Sequence, residues 1–182
     1  MTVFITGGSA SGKSAFAEST AQKLGGRLVY VATMPVTSPE DAEKVERHHR
    51  LRAGKGFTTL ERPATLADLP DGGETMLIEC LSTHAANLMF GKDNAPADTT
   101  DTSFWIESIK KELEPILSRK GNTIFVSAEI SSDGANYSPE TEAYKSVLTS
   151  INRHLVQNCN AAFEVVCGIP VRIKGELPCL KV

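Results

Sequence analysis

Met1-Thr2-Val3-Phe4-Ile5-Thr6-Gly7-Gly8-Ser9-Ala10-Ser11-Gly12-Lys13-Ser14 opens the chain. Its last eight residues have the spacing G-x-x-x-x-G-K-S of a phosphate-binding P-loop. The flanks fit that spacing: the apolar run up to Thr6 predicts a short strand, and Ala15 to Leu24 predicts a helix. A strand, a glycine-rich turn and a helix in that order make an anion cradle, because backbone N–H groups point inward and the helix N-terminus adds partial positive charge. Lys13 is placed to reach the β- and γ-phosphates of a nucleotide, and the Ser14 hydroxyl to hold Mg²⁺. A chance match in an ordinary glycine turn would lack the strand and the helix.

Outward from this loop, five apolar runs predict strands: Val3–Thr6, Leu28–Ala32, Met76–Cys80, Thr123–Ser127 and Phe163–Cys167. Most are apolar throughout rather than alternating, which predicts burial on both faces, as in a parallel sheet. Helical patterns lie between them. Ser38-Pro39-Glu40-Asp41 predicts a capped helix start with a run to about Arg52, and Ser138-Pro139-Glu140 another that reaches about Gln157. Thr83–Phe90 and Ser103–Leu117 complete the set, the latter with an apolar stripe of Trp105, Ile109, Leu113 and Ile116. Gly91 to Thr102 is polar and predicts an exposed loop. After Cys167, Gly168-Ile169-Pro170-Val171-Arg172-Ile173-Lys174 predicts a turn into a final antiparallel edge strand, where a proline is tolerated. The expected architecture is a single three-layer, P-loop NTPase-like α/β domain over residues 1–182. Its sheet is mostly parallel, with a C-terminal antiparallel edge strand and the P-loop at the carboxyl ends of the strands.

The bulk composition agrees with a globular domain. Of 182 residues, 41% are hydrophobic and 23% charged, enough for a sizeable core. The net charge of −3, with no basic stripe, argues against nucleic acid as a partner. No apolar run approaches the roughly 20 residues that cross a bilayer. A signal peptide is not expected, because cleavage would remove the P-loop. Cys80, Cys159, Cys167 and Cys179 form no C-x-x-C pair, so a zinc site is not expected, and reduced thiols in the cytoplasm are the default.

Several polar residues are candidates for chemistry. Glu79 follows the apolar run Met76-Leu77-Ile78, a Walker-B-like pattern with Glu in place of the usual Asp; it is either a Mg²⁺-organising acid or an exposed strand-end carboxylate. In Arg47-His48-His49-Arg50, adjacent helical residues point about 100° apart, so the two histidines are not expected to serve one site. One of them has the chemistry of an acid, base or nucleophile; a solvated surface pair is the alternative. Glu61, in Phe57-Thr58-Thr59-Leu60-Glu61-Arg62-Pro63, is either an exposed loop acid or an acceptor for a base edge or ribose. Glu129 stands at another strand's carboxyl end, a position that borders ligand sites in open α/β sheets. Asn136 and Tyr137 are expected to be turn residues.

Taken in order, these segments resemble one family. Ile5–Ser14 with Ala17-Glu18, Val29-Tyr30-Val31-Ala32-Thr33, Lys44-Val45-Glu46-Arg47-His48-His49-Arg50-Leu51-Arg52 and Thr59-Leu60-Glu61-Arg62-Pro63 carry the first part of the likeness. Leu77-Ile78-Glu79-Cys80-Leu81-Ser82 with Asn87-Leu88, then Asn152, and Val166-Cys167-Gly168-Ile169-Pro170 with Lys174, carry the rest. The chain resembles the bifunctional adenosylcobinamide kinase / adenosylcobinamide-phosphate guanylyltransferases of cobalamin synthesis.

The resemblance implies two linked reactions. ATP or GTP phosphorylates the aminopropanol hydroxyl of adenosylcobinamide. GTP then gives GMP to a histidine, and the histidine passes it to adenosylcobinamide phosphate, forming adenosylcobinamide-GDP. By the same resemblance His48 is the guanylylated residue, with His49 the alternative if the register slips. Nucleotide contacts are implied at Gly7, Gly8, Ser9, Ala10, Ser11, Gly12, Lys13, Ser14, Thr33, Met34, Pro35, His49, Arg50, Leu51, Arg52 and Glu61, and Mg²⁺ contacts at Ser14 and Glu79. Arg50 or Arg52 would neutralise the migrating phosphate. A homotrimer is implied as well. The chain departs from the family pattern after the fourth predicted strand, where Ala128-Glu129-Ile130-Ser131 stands for the usual Asn-Glu-Val-Gly. Glu142-Ala143-Tyr144-Lys145-Ser146 and Asn152-Arg153 depart from it further on. These changes fall where the resemblance places the corrinoid or the subunit interface. Two other readings remain at this level: a P-loop metabolite kinase without guanylyl transfer, and a nucleotide-sensing regulatory protein.

Overall fold

Every residue of β1 (Thr2–Thr6) and β2 (Leu28–Ala32) is buried, and so are four of the five in β4 (Thr75–Glu79) and in β5 (Asn122–Val126). That is the pattern of strands covered on both faces. A computed structural model describes residues 1–62, 64–91, 100–130 and 137–178 of the chain, apart from the side chains of Lys44 and Leu51. It contains one seven-stranded sheet in the order β3-β2-β4-β5-β1-β6-β7, with β3 (Phe57–Glu61), β6 (Ala161–Val166) and β7 (Ile169–Lys174) completing the set. β1 to β6 run parallel and β7 returns antiparallel against β6, which agrees with the expected edge strand.

β3 corrects the expectation of a loop at residues 57–61. It is an edge strand paired only to β2, and its residues are half-buried or exposed, so no continuous apolar run marks it. Its Phe57-Thr58-Thr59 start carries the aromatic and β-branched signal that strands favour.

The helices are α1 (Lys13–Leu24), α2 (Pro39–Arg52), α3 (Leu81–Phe90), α4 (Thr102–Ser118) and α5 (Pro139–Asn158). The Ser38 and Ser138 side chains accept the Asp41 and Thr141 amides, so the two Ser-Pro starts are N-caps as expected. α3 begins two residues earlier than the sequence suggested, with Cys80 as its N-cap. Residues 92–99, most of the expected 91–102 loop, lie outside the described residues, as do 131–136 with Asn136. α1 covers one face of the sheet through Ala17 and Ala21, against Ile5, Leu77 and Ile124. α3, α4 and α5 cover the other through Met89, Ile109, Leu113, Leu148 and Ile151, against Phe4, Ile78 and Phe125. The stripe expected on α4 (Trp105, Ile109, Leu113, Ile116) is its buried face.

Two carboxylates, one half-buried and one buried, tie the layers together. Glu112 on α4 lies 2.7 Å from Nε2 of the fully buried His84 on α3, and it also accepts the Thr65 hydroxyl and the Leu66 amide. Burial alone would raise its pKa, but the His84, Thr65 and Leu66 contacts outweigh that and leave it below the usual range. Glu74, 5% exposed, pairs with Arg27 and accepts from the buried Arg119 at 3.0 Å. A bond with its own backbone amide, then the Arg27 pair and the Gly72 amide, hold its pKa down to about 2.

A depressed folded-state pKa means that this stabilisation is complete above the ordinary carboxylate value and is lost as pH falls through it toward 2. Glu74→Gln is therefore expected to cost on the order of 3 kcal/mol at pH 7, because Arg119 is left buried without its counter-charge. The deficit relative to wild type should shrink as pH falls from about 4.5 toward 2, where the wild-type carboxyl protonates as well. Denaturant melts of both proteins at pH 7 and pH 3 check this; an equal deficit at both would show that the charge of Glu74 is not what stabilises.

Candidate nucleotide-binding site

The P-loop leaves β1 and enters α1 with glycine where no side chain fits. A Cβ at Gly7 would lie 2.5 Å from the Val165 carbonyl oxygen. Gly12 has φ +93°, and its Cβ would lie 3.2 Å from Gly168 Cα. The loop is braced from two sides: the Glu129 amide donates to Gly7 O at 3.1 Å and the Gly168 amide to Ser11 O at 2.8 Å. Lys13 lies across the loop, with Nζ donating to Gly8 O at 3.0 Å.

The Ser14 hydroxyl donates to Glu79 Oε1. This brings together the two residues expected around Mg²⁺, one from the start of α1 and one from the end of β4. β5 lies between β4 and the P-loop strand. Glu79 is therefore not an exposed strand-end acid. Its other oxygen, Oε2, is buried and has no hydrogen-bond partner. Burial pushes the Glu79 pKa up, the Ser14 bond opposes this, and the nearby Glu18 adds to it. A buried carboxylate with an unpartnered oxygen beside a P-loop serine fits a hard cation.

The strand ends beside Glu79 are locked by Thr33. Its hydroxyl donates to Cys80 O at 2.9 Å and accepts from Cys80 N at 2.8 Å, while Asn87 Nδ2 donates to Thr33 O at 2.7 Å. Met34 and the half-buried Pro35 follow as the chain turns toward α2. Between α2 and these strand ends lies a pocket of about 140 Å³. Tyr30, Ala32, Met34, Val45, His48, His49, Arg52, Glu79, Cys80 and Thr83 line it. Val45, His48 and Arg52 stand three and four residues apart, so they form one stripe on the inner side of α2.

Three sequence expectations change here. His48 and His49 both line this pocket, although they are adjacent on a helix. His48 is half-buried on the inner stripe of α2, while His49 is exposed at the rim, 3.5 Å from Glu61. Glu61 is the last residue of β3 and not a loop acid. Arg50 does not join the pocket: it lines the outer side of α2 with Glu40, Glu43, Glu46 and Arg47, which leaves Arg52 as the arginine beside the histidines. The Leu51 side chain lies outside the described residues.

Burial, then the charges of Arg52 and Arg47, push the His48 pKa below its ordinary value, with Glu18 opposing. Tyr30 was expected only as strand core. It shares a sheet face with Ala32, two residues on, and that face looks into the pocket.

The profile of the family described as cobinamide kinase / cobinamide phosphate guanyltransferase matches residues 3–173, from β1 into β7. The chain belongs to this family. Among its relatives, the bifunctional adenosylcobalamin biosynthesis protein CobU of Escherichia coli (strain K12) is 29% identical, the alignment covering 96% of this chain and 100% of that one. The bifunctional adenosylcobalamin biosynthesis protein CobP of Pseudomonas aeruginosa is 27% identical, covering 94% of this chain and 96% of that one. Among solved structures, a KaiC-like protein from Pyrococcus horikoshii superposes with a TM-score of 0.44 at 13% identity, over 90% of this chain and 71% of that one.

Proposed function

We propose that this family member acts in cobalamin synthesis as both adenosylcobinamide kinase and adenosylcobinamide-phosphate guanylyltransferase. The observation that carries the reading is that Glu79 belongs to two places at once: it bonds Ser14 of the P-loop and lines the pocket that holds His48. Phosphate-handling groups and a candidate nucleophile therefore meet at one carboxylate.

In the kinase step the substrate hydroxyl oxygen bonds to the γ-phosphorus of ATP or GTP, and the nucleoside diphosphate leaves. The P-loop amides and Lys13 carry the charge of the phosphates. Ser14 and Glu79 would hold the Mg²⁺ of the nucleotide, which supplies further charge neutralisation. In the second reaction the lone pair of a neutral His48 nitrogen bonds to the α-phosphorus of GTP and pyrophosphate leaves. A phosphate oxygen of adenosylcobinamide phosphate then displaces the histidine, giving adenosylcobinamide-GDP. Dividing the transfer into two displacements is what a nucleophilic residue contributes. Thr33, Met34, Pro35, His49, Arg50, Leu51, Arg52 and Glu61 are the further nucleotide contacts in this reading. His49 and Glu61 stand together at the pocket rim, which supports their part in it; Arg50 receives the least support, since it lines the outer side of α2.

No helix among the described residues is long and apolar enough to cross a membrane, which fits a cytoplasmic location. A homotrimer is proposed by the family resemblance. The exposed Val166, Ile169, Val171 and Ile173 on the β6–β7 hairpin supply apolar surface for association.

The test is to incubate the protein with adenosylcobinamide, GTP and Mg²⁺ and identify the corrinoid products by mass. Phosphorylated and then guanylylated products are expected. A phosphorylated product alone would leave a plain kinase, and neither product would end the assignment.

Glu79→Gln tests the metal contact. It keeps the side chain's volume and removes its charge. The Mg²⁺ concentration for half-maximal activity is expected to rise by about tenfold or more, the effect of removing one charged group from a metal shell. The thermal midpoint should hold or rise, because a carboxylate kept charged in this site costs folding free energy. An unchanged Mg²⁺ titration would show that Glu79 does not serve the ion.

A further inference from the structure

The pocket contains a buried cation that forms no ion pair among the described residues. Arg52 is 6% exposed. Its Nε–H is buried and makes no hydrogen bond, and no carboxylate among the described residues forms an ion pair with it. Its guanidinium instead lies over the ring of Tyr30, with Cζ 3.5 Å from the centroid. Tyr30 is 5% exposed, and Phe57 meets it edge to face at 6.3 Å. The ring is therefore a fixed platform built from β2 and β3.

Taking a charge out of water is costly unless it is paired, and a cation–π contact recovers only part of that cost. The carboxylates nearby form no ion pair with it: Glu79 gives one oxygen to Ser14 and keeps the other unpartnered, and Glu18 pairs with Lys55. A guanidinium arranged this way is complete only when an anion enters the pocket, and His48 lines that same pocket one turn earlier on the same face of α2.

We propose that Tyr30 is a positioning residue for guanylyl transfer: its ring face holds Arg52 as a preformed anion site that receives the α-phosphate as it bonds to His48. This rests on the guanylyl-transfer reading above. In that step the His48 nitrogen–phosphorus bond forms while the bond to the bridging oxygen of pyrophosphate breaks. The electron pair leaves with pyrophosphate, and charge gathers on the non-bridging oxygens, the charge that an arginine in this pocket would neutralise. An arginine free in solvent would have to be ordered for each turnover, whereas a stacked one is already in place. The stack needs a planar guanidinium, so lysine is not an equivalent.

The experiment measures single-turnover labelling of the whole protein with α-labelled GTP and Mg²⁺ over a range of GTP concentrations. It compares wild type with Tyr30→Leu, Tyr30→Phe, Arg52→Gln and Arg52→Lys, and titrates GMP into each by calorimetry. Arg52→Gln and Arg52→Lys are expected to slow labelling at saturating GTP by about 100-fold, the scale of losing one preorganised donor. Tyr30→Leu should slow it by about tenfold or more, and Tyr30→Phe, which keeps the ring, should rescue it to within about twofold of wild type. The GTP concentration at half-saturation, set by the P-loop, should move by less than about threefold, a rate-against-affinity split that a purely structural role would not produce. GMP should bind about tenfold more weakly to Arg52→Gln and Tyr30→Leu.

Labelling of a folded Tyr30→Leu at the Tyr30→Phe rate overturns the inference and leaves the guanylyl-transfer reading intact. If Tyr30→Leu does not fold, Arg52→Lys decides, because it leaves the ring in place, and wild-type labelling there overturns the inference. If the wild type takes no label, the guanylyl-transfer reading itself fails. GMP affinity then decides the anion site alone, and equal affinity in wild type and Arg52→Gln removes it.

Discussion

His48→Ala is expected to take up no GMP when the protein is incubated with α-labelled GTP and Mg²⁺, whereas His49→Ala keeps the label. His48 lies on the inner stripe of α2 with Val45 and Arg52, while His49 stands at the rim near Glu61. The same substitution is expected to spare phosphorylation of adenosylcobinamide, since direct transfer to a hydroxyl passes through no histidine. The wild-type bond should behave as a phosphoramidate, labile in acid and stable in base.

Its formation should also depend on pH in one direction. Burial, followed by Arg52 and Arg47, lowers the His48 pKa against the opposing Glu18. The nucleophilic neutral form then persists to lower pH than in an ordinary imidazole, and the fall of the labelling rate in acid should be displaced to lower pH accordingly. Label that survives in His48→Ala and vanishes in His49→Ala would move the nucleophile by one residue. A rate still climbing steeply above pH 8 would mean that His48 is not held neutral by its surroundings.

Lys13→Ala is expected to lower triphosphate-dependent turnover by roughly a thousandfold or more in both reactions, with little change in folding. Such a loss is typical of removing a preorganised charge from the reacting phosphates. The structure separates this from a stability effect. Lys13 donates to the Gly8 carbonyl on the exposed side of the loop, so truncation leaves no buried group unpaired. The thermal midpoint should therefore shift by no more than about 2 °C. A folded Lys13→Ala protein with near-wild-type turnover would fail the P-loop reading and every assignment built on it.

The parts of this molecule that were legible in its sequence are those where local chemistry leaves few alternatives. A phosphate cradle requires glycine where Gly7 and Gly12 stand, because Val165 and Gly168 pack where side chains would be. Strands covered on both faces are apolar at most positions, which exposes Val3–Thr6 and Thr123–Ser127 to simple inspection. Ser38-Pro39 and Ser138-Pro139 announce their helices because cap and first turn are neighbours in sequence. β3 escaped because an edge strand with one partner buries too little to show a run. The Tyr30–Arg52 stack escaped for a different reason. Its members are 22 residues apart, on β2 and α2, and only the placement of α2 over the strand ends reveals that an ordinary core tyrosine supports an arginine. That both histidines line one pocket was likewise invisible to an angular argument that treated the helix alone, without the strand ends packed beside it.

The bracing of the P-loop by Gly168 and Glu129 has a consequence for the order in which the protein is made. The P-loop precedes most of the domain in the chain and is expected to be among the last parts to acquire its shape. Its strand is flanked by β5 and β6, its first loop residue, Gly7, is held by residue 129, and its fifth, Ser11, by residue 168. Contacts of such sequence separation form late, after most of the chain's entropy has been surrendered. A nascent chain that stops short of the β6–β7 turn carries every residue of the nucleotide signature and lacks the scaffold that holds them. Competence to bind triphosphate is thus expected to require nearly the whole domain.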